Sequence, residues 1–150
     1  MMPQAGRLWR RHFGHIGLGG FDAANGGVAV GAGRVLGVIG FRDHRGGFAQ
    51  PGRGVSAALA GAIYRPAPAT ADLVIDGIAV RRPRCGHGRA LMEAAVAQAR
   101  ARGRAGLRAE VALRNRGALA FYRKLGFVEE ARGRYGWPWT GIVVILRRPV

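Results

Sequence analysis

Residues 73–91, LVIDGIAVRRPRCGHGRAL, decide the fold because they carry an apolar run through a basic loop into a helical pattern. The apolar run is short and rich in β-branched side chains, which predicts a central strand over residues 72–80. Apolar side chains then share one face of a helix predicted over residues 87–102: Leu91, Met92, Ala95, Val96 and Ala99. Gly103 ends that helix. We therefore expect a strand, a loop and a helix in direct succession.

The loop between this strand and helix has the composition of a phosphate cradle. Gly86 and Gly88 let the main chain approach a ligand, while the helix dipole and the free N–H groups of the first turn favour an anion. Four arginines add positive charge: Arg81, Arg82, Arg84 and Arg89. No G-K-[ST] follows, so this is not a Walker loop, and Met92 stands near the third glycine of a dinucleotide fingerprint. An ordinary strand–loop–helix connection is the alternative.

Length and composition indicate one globular domain. The chain has 150 residues, of which 49% are hydrophobic, enough to bury a core. Its net charge of +16 attracts polyanions such as nucleic acid, anionic membrane or a phosphorylated cofactor. Lys124 is the single lysine among 24 basic residues, and the arginines are scattered along the chain. This pattern favours a solvated basic surface and GC-rich codon usage over a nucleic-acid motif.

Cysteine and histidine usage predicts neither a disulfide nor a metal site. Cys85 is the only cysteine, which fits a reducing cytoplasm, and no base is evident that would make it a nucleophile. His12, His15 and His44 lack metal-ligand spacing. The basic N-terminus has no following apolar segment, and the longest apolar stretch, residues 55–63, is too short for a bilayer. We predict a cytoplasmic protein with no membrane partner.

The rest of the chain alternates between helical and extended patterns. Both faces of the strand predicted over residues 35–41 are apolar, so it should lie inside a sheet. The other predicted elements are a helix at 8–16, a strand at 28–30 joined to 35–41 through residues 31–33, a mobile loop at 43–53, a helix at 55–64, a strand at 107–113, a helix at 116–125 and antiparallel strands at 127–132 and 142–146. This order predicts an α/β fold.

A second motif lies at residues 115–127, NRGALAFYRKLGF, where an Asn ends a strand and A-x-x-F-Y-x-x-L-G-F forms a short helix. Together with the glycine loop, it resembles the GCN5-related N-acetyltransferase (GNAT) superfamily over roughly residues 28–150. The resemblance implies a mixed, splayed β-sheet flanked by helices on both faces. It also implies one GNAT domain over residues 1–150, with a shortened N-terminus. The loop is two residues shorter than the family pattern, and Pro83 replaces the family Arg or Gln.

The resemblance further implies that acetyl-CoA is the co-substrate. The glycine loop would hold its pyrophosphate, and the strand before the loop would pair with its pantetheine arm. The cofactor-binding residues carried over are Ile78, Ala79, Val80, Arg84, Gly86, His87, Gly88, Arg89, Ala90 and Asn115. For His87, a solvent-facing position at the helix start is the alternative.

The implied reaction is attack of an amine on a thioester, directly within a ternary complex. A main-chain N–H of Ala79 or Val80 would stabilise the thioester oxygen as negative charge develops there. By the resemblance, Tyr122 would protonate the departing thiolate. Its alternative role is that of a core aromatic, and both roles are compatible.

The amine must lose a proton before it attacks, and Asp76 is the candidate base. We expect Asp76 on the same face of the central strand as Ile78 and Val80. A structural carboxylate at a strand bulge beside Gly77 is the alternative, and a water chain or Glu110 are further candidates for the base.

We therefore predict a bacterial acetyl-CoA-dependent N-acetyltransferase whose acceptor is a small-molecule or peptide amine. A catalytically weak CoA-binding regulator and a basic nucleic-acid-binding module are the alternatives, and the scattered arginines disfavour the second. Trp137 and Trp139 are expected to cap the core rather than line an acceptor pocket. The protein is expected to be a monomer, or a homodimer paired through an exposed final strand.

Overall fold

The computed structural model describes residues 1–14 and 18–150, so His15 and Ile16 of the helix predicted at 8–16 lie outside the described residues. A short 3-10 turn at Ala23–Asn25 follows the first strand. The elements in chain order are α1 (Met2–Phe13), β1 (Leu18–Phe21), β2 (Gly26–Gly31), β3 (Arg34–Asp43), β4 (Gly46–Gly47), β5 (Ala49–Pro51), α2 (Val55–Ile63), β6 (Leu73–Val80), α3 (His87–Ala101), β7 (Gly106–Ala112), α4 (Arg116–Lys124), β8 (Val128–Arg134) and β9 (Ile142–Pro149).

The main sheet is mixed and has the strand order β2-β3-β6-β7-β9-β8, with β4 paired to β3. The β6–β7 pair is parallel and the other pairs are antiparallel. Ala32 and Gly33 both have positive φ, which gives the two-residue turn that matches the twist of the β2–β3 hairpin. The predicted α/β fold and the interior position of β3 are confirmed.

Helices cover both faces of this sheet. On one face, α3 and α4 pack their apolar side chains against β6 and β7 in a core that includes Met92, Leu107 and Tyr122. On the other face, α1 packs Leu8 and Trp9 against β3. The helical pattern read around residues 91–99 therefore identified the buried face of α3 correctly.

A β-bulge interrupts the central strand. Gly77 pairs with Gly40 but Ile75 pairs with Phe41, so Asp76 is the additional residue on β6. After the bulge, Ile78 packs towards α3 as Ile75 does, whereas Asp76 contacts side chains on the opposite face. The predicted common face of Asp76, Ile78 and Val80 is therefore wrong, because a single added residue reverses the alternation.

The segment predicted as a mobile loop at 43–53 is ordered, because β5 pairs with β1 and β4 pairs with β3. Phe48 anchors the segment: its side chain is fully buried, and its ring lies 4.9 Å from that of Trp9. At the N-terminus, α1 begins at Met2, six residues before the predicted start.

The final strand, β9, lies between β7 and β8 rather than at the edge of the sheet. The expected exposure of the final strand is therefore wrong, since β8 is the edge strand on that side, and the choice between a monomer and a homodimer stays a prediction. Among the described residues, no helix has the length and hydropathy that a membrane span requires.

Replacing Gly40 by Ala should destabilise the fold. A Cβ at this position would stand 2.7 Å from Trp9 Cη2 and 2.9 Å from Phe48 Cβ, so a packed aromatic layer would have to move. We expect the free energy of unfolding in urea to fall by about 1–3 kcal/mol. Gly61→Ala is the control, because nothing lies within 4 Å of its Cβ and Ala favours a helix. Equal stabilities of the two variants would contradict this packing.

Candidate functional site

The parallel strands β6 and β7 separate to form a wedge inside the sheet. Their pairing covers residues 73–75 opposite residues 107–109 and stops there, although both strands continue. Arg81 N–H donates to Leu36 O, so alternation along β6 directs the main chain of Ala79 towards β3. The N–H and C=O groups of Ile78 and Val80 consequently point into the wedge. Ala79 cannot supply the predicted N–H to a thioester, because the β3 ladder uses it.

A helix N-terminus stands at the open end of the wedge. Gly86 is the N-cap of α3 in the left-handed conformation, with φ +77°, and no side chain caps the helix. Ala90 N–H donates to Gly86 O, so the predicted contact of Ala90 with a ligand cannot use that N–H. The N–H groups of residues 87–89 precede the first helical bond and are directed at an incoming anion.

Gly86 and Gly88 serve different purposes. A Cβ at Gly86 would meet nothing within 4 Å, so that position needs glycine for its positive φ. A Cβ at Gly88 would stand 3.0 Å from Phe121 Cε2, so that position needs glycine for the close approach of α3 to α4. Gly88 was predicted to let a ligand approach the main chain. In the structure it makes room for the side chain of Phe121, which lies on the helix of the second motif.

A cavity of about 240 Å³, here called the loop cavity, lies between this loop and α4. Phe121 and Leu125 give it an apolar wall, and Arg82 and Lys124 add positive charge. Five of the predicted cofactor-binding residues line it: Val80, Arg84, Gly86, Gly88 and Arg89. Cations and free N–H groups beside an apolar wall fit a phosphorylated ligand that carries an organic arm.

The remaining predicted residues have other positions. The His87 side chain lies on the far side of the loop, in a cavity it shares with Gln4 and Arg34, so it does not line the loop cavity. Asn115 is the N-cap of α4, where its Oδ1 accepts from Ala118 N–H at 3.1 Å. Asn115 therefore caps the helix. This role is sufficient to explain an Asn at the end of the strand, even if Asn115 contacts no ligand.

Tyr122 is a buried aromatic on α4, only 7% exposed. Its ring lies 5.2 Å from that of Phe127 and 5.4 Å from that of Phe121. Burial raises the pKa of the Tyr122 hydroxyl well above its ordinary value, so the group stays protonated at neutral pH. The core role considered for Tyr122 is thus present, and its role as a proton donor stays a prediction.

Two carboxylates stand at the apex of the wedge. Ile75 and Ala109 form the last pair between β6 and β7, and Asp76 and Glu110 are the residues that follow them. Arg42 on β3 joins the two: its Nε donates to Asp76 Oδ1 at 2.6 Å, and its Nη2 donates to Glu110 Oε1 at 2.8 Å. The sequence analysis missed Arg42, whose only signal was a charged residue directly after an apolar strand.

Burial changes the acidity of one of these carboxyl groups, that of Asp76. It raises the pKa of Asp76 above its ordinary value, and Glu110 adds to the rise, while Arg42 opposes it. A carboxylate with a raised pKa is a stronger base than one in water. Asp76 thus lies at a strand bulge, as the structural alternative expected. Its raised pKa is also compatible with the role of a base.

An aromatic group borders the same face. The ring of Tyr64, directly after α2, lies 5.0 Å from that of Trp137, which stacks on Trp139 at 5.4 Å. Trp137 is half-buried and Trp139 is 54% exposed, and in the described part of the chain neither ring packs against the buried core of the sheet, so the expectation that they cap the core is wrong. The sequence analysis missed Tyr64, which lies within electrostatic reach of Arg42, Glu110 and Asp76.

The structure shows no cluster of potential metal ligands in the described part of the chain. Residues 1–14 and 18–150 contain no group of three His, Cys, Asp or Glu side chains placed to hold a metal ion. Cys85 is exposed, with its Sγ 3.6 Å from Pro83 O.

Comparisons with known proteins agree with this geometry. A family model described as "Acetyltransferase (GNAT) family" matches residues 7–127. Ard1 from Thermoplasma volcanium is 25% identical, with a TM-score of 0.59 over 82% of this chain and 68% of its own. The ribosomal-protein-S18-alanine N-acetyltransferase from Escherichia coli is also 25% identical, with a TM-score of 0.53 over 81% of this chain and 65% of its own.

A third solved structure shares the fold at lower identity. It is described as a streptothricin acetyltransferase from Bacillus anthracis in complex with acetyl coenzyme A, is 16% identical, and has a TM-score of 0.55 over 82% of this chain and 60% of its own. The chain thus spans about two thirds of the length of these structures. No curated protein matches the sequence.

Replacing Arg42 by Met should destabilise the protein most at neutral pH. Without the cation, Asp76 and Glu110 repel each other, so the pKa of Asp76 in the folded state rises further above its unfolded value. A raised folded pKa means that stability is lost as pH rises, because the folded state binds the proton more tightly. We expect the free energy of unfolding to fall by about 1–2 kcal/mol at pH 7 and by less at pH 4.5.

The control for this variant is Arg123→Met, which removes an exposed ion pair with Glu129 and should leave the free energy of unfolding nearly unchanged at both pH values. Urea denaturation at the two pH values measures both variants. A pH-independent loss in Arg42→Met would show that Arg42 acts only through packing.

Proposed function

Because the chain belongs to the GNAT acetyltransferase family, we propose that it transfers the acetyl group of acetyl-CoA to an amine acceptor. One observation carries the proposal: a wedge between parallel strands has a helix N-terminus at its open end and a carboxylate pair at its apex. An anionic ligand with an extended polar arm matches these features in that order. The acetyl coenzyme A bound by the B. anthracis protein of the same fold supports this choice of ligand.

In this proposal the diphosphate of acetyl-CoA lies on the N–H groups of residues 87–89. Arg84 and Arg89, which line the loop cavity, neutralise it. The pantetheine arm runs along the wedge and forms hydrogen bonds with the main chain of Ile78 and Val80, as an added strand would. Arg82 and Lys124 complete the positive wall that replaces the Arg or Gln lost at Pro83.

The chemical step joins the amine nitrogen to the thioester carbon and breaks the carbon–sulfur bond. Asp76, directly or through a water, accepts the proton that the ammonium must lose before its lone pair can attack. Ile78 N–H points into the wedge closer to Asp76 than Val80 N–H does, so in this proposal Ile78 N–H stabilises the negative charge on the thioester oxygen and Val80, next to the loop, binds the pantetheine arm. Tyr122, whose raised pKa keeps the hydroxyl protonated, donates its proton to the departing thiolate. The second proton, which the nitrogen loses as the amide forms, passes through solvent and restores the Tyr122 hydroxyl.

We place the acceptor on the face of the sheet that holds Asp76, Glu110 and Tyr64. Two carboxylates attract an ammonium group, and the rings of Tyr64 and Trp137 offer faces on which a cation is stabilised. This face is opposite to α3, so donor and acceptor enter the wedge from different sides. Both small amines and a peptide N-terminus have this chemistry.

Gly86→Val should abolish tight binding of acetyl-CoA. Valine resists a φ of +77°, so the loop must change shape and its N–H groups lose their direction. We expect the dissociation constant, measured by calorimetry at moderate salt, to rise about tenfold or more. Gly103→Val is the matched control: it has φ +66° and open space, but lies at the other end of α3. The proposal fails if wild type does not bind acetyl-CoA or if both variants bind it equally.

Tyr122→Phe should lower the turnover number with little effect on folding. The substitution keeps the buried ring and removes the proton donor, so kcat for thiol release with a panel of amines should fall about 100-fold. The dissociation constant for acetyl-CoA and the thermal midpoint should stay near the wild-type values. An unchanged kcat would leave Tyr122 with its core role alone, and tight acetyl-CoA binding without turnover in wild type would favour the regulatory alternative.

A further inference from the structure

A second and larger cavity lies on the other side of the phosphate loop. It has a volume of about 480 Å³ and is bounded by α1, the start of β3 and residues 81–87. We call it the arginine cavity, after four of the residues that line it: Arg7, Arg34, Arg81 and Arg82. We propose that the arginine cavity binds a phosphate monoester, which makes it an anion site separate from the loop cavity.

The charges in the arginine cavity are unbalanced. It is lined by four guanidinium groups and by no Asp or Glu. Within residues 1–14 and 18–150, none of these four arginines forms an ion pair, whereas Arg42, Arg102, Arg104 and Arg147 all do. Like charges that converge on one concave surface repel one another, and a bound dianion removes that repulsion.

Hydrogen bonds hold the walls of the arginine cavity in place. Gln4 Oε1 accepts from Val35 N–H at 3.0 Å, which fixes the start of α1 on β3. Arg81 Nε donates to Val35 O at 2.6 Å, so this side chain is anchored at Nε. A guanidinium with a fixed plane presents its remaining N–H groups as a fork that matches phosphate oxygens. The site is thus partly preorganised without its ligand.

The two cavities adjoin each other. Arg82 and Cys85 line both of them, so two phosphate groups of one extended ligand can lie one in each cavity. If the proposed function is correct, the phosphate monoester is the 3′-phosphate of the bound CoA; a separate phosphate ester is the other source with the same chemistry. The assignment to the 3′-phosphate of CoA rests on the proposed function, whereas the assignment of an anion site to the arginine cavity does not.

The test compares CoA with dephospho-CoA, which keeps the diphosphate and the pantetheine arm but lacks the 3′-phosphate. Calorimetry at 150 mM salt should give about tenfold tighter binding of CoA to the wild type. The double variant Arg7→Ala/Arg34→Ala should lose this preference and bind both ligands alike. The control is the double variant Arg53→Ala/Arg100→Ala, which also loses two positive charges, but at positions outside the two cavities. It should keep the preference for CoA.

A second titration adds phenyl phosphate to wild type saturated with dephospho-CoA. Binding that disappears in Arg7→Ala/Arg34→Ala, together with equal affinities for CoA and dephospho-CoA, identifies a separate phosphate ester as the ligand. If the wild type binds neither form of CoA, phenyl phosphate is titrated into the free protein, and binding that Arg7→Ala/Arg34→Ala loses would refute the proposed function and keep the site. Equal affinities without phenyl phosphate binding, or a preference for CoA that survives in Arg7→Ala/Arg34→Ala, would overturn the inference.

Discussion

The site depends on a missing interaction: β6 and β7 stop pairing after residues 75 and 109, although both strands continue. The bulge at Asp76 lies at the point of separation and changes the direction of β6. A strand inside a sheet normally satisfies its main-chain groups on both sides, and here the wedge side of Ile78 and Val80 is left for a ligand. In the proposed function, recognition of an extended polar arm therefore rests on the backbone and does not require particular side chains.

Packing of α3 against the sheet and against α4 fixes the loop beside the wedge. Leu91 of α3 sits against Gly37 of β3, where a Cβ would stand only 2.9 Å from Leu91 Cδ1, so α3 is held close to the sheet. The contact between Gly88 and Phe121 fixes the N-terminus of α3 against α4 in the same way. The direction of the free N–H groups is consequently set by helix packing, and the two sequence motifs meet at this contact.

Local patterns made most of this fold predictable, and non-local pairings explain what was missed. The periodicity around residues 91–99 and the glycines that stop each helix were sufficient for α3 and α4. Gly77 indicated a bulge as an alternative, but the residue that a bulge adds does not change the run of side chains in the sequence, so the face of Asp76 was read wrongly. The contact of Arg42 with Asp76 and Glu110 joins three strands, and the pairing of β1 with β5 involves short segments without alternation. Neither the Arg42 contact nor the β1–β5 pairing produces a periodic pattern of side chains in the sequence.

Charge is distributed along β6 in a way that the net value of +16 hides. Carboxylates lie around its first half, where Asp72, Asp76 and Glu110 pair with arginines. Around its end, arginines line two cavities that contain no carboxylate. A surface rich in arginine does not by itself produce this difference, in which arginines are paired with carboxylates at one end of the strand and, among the described residues, have no carboxylate partner in the cavities at the other. In the proposed function, the arginines near the loop attract the anionic donor, and the wedge brings its thioester to the apex, where the carboxylates hold the amine, so one strand brings the two reactants together.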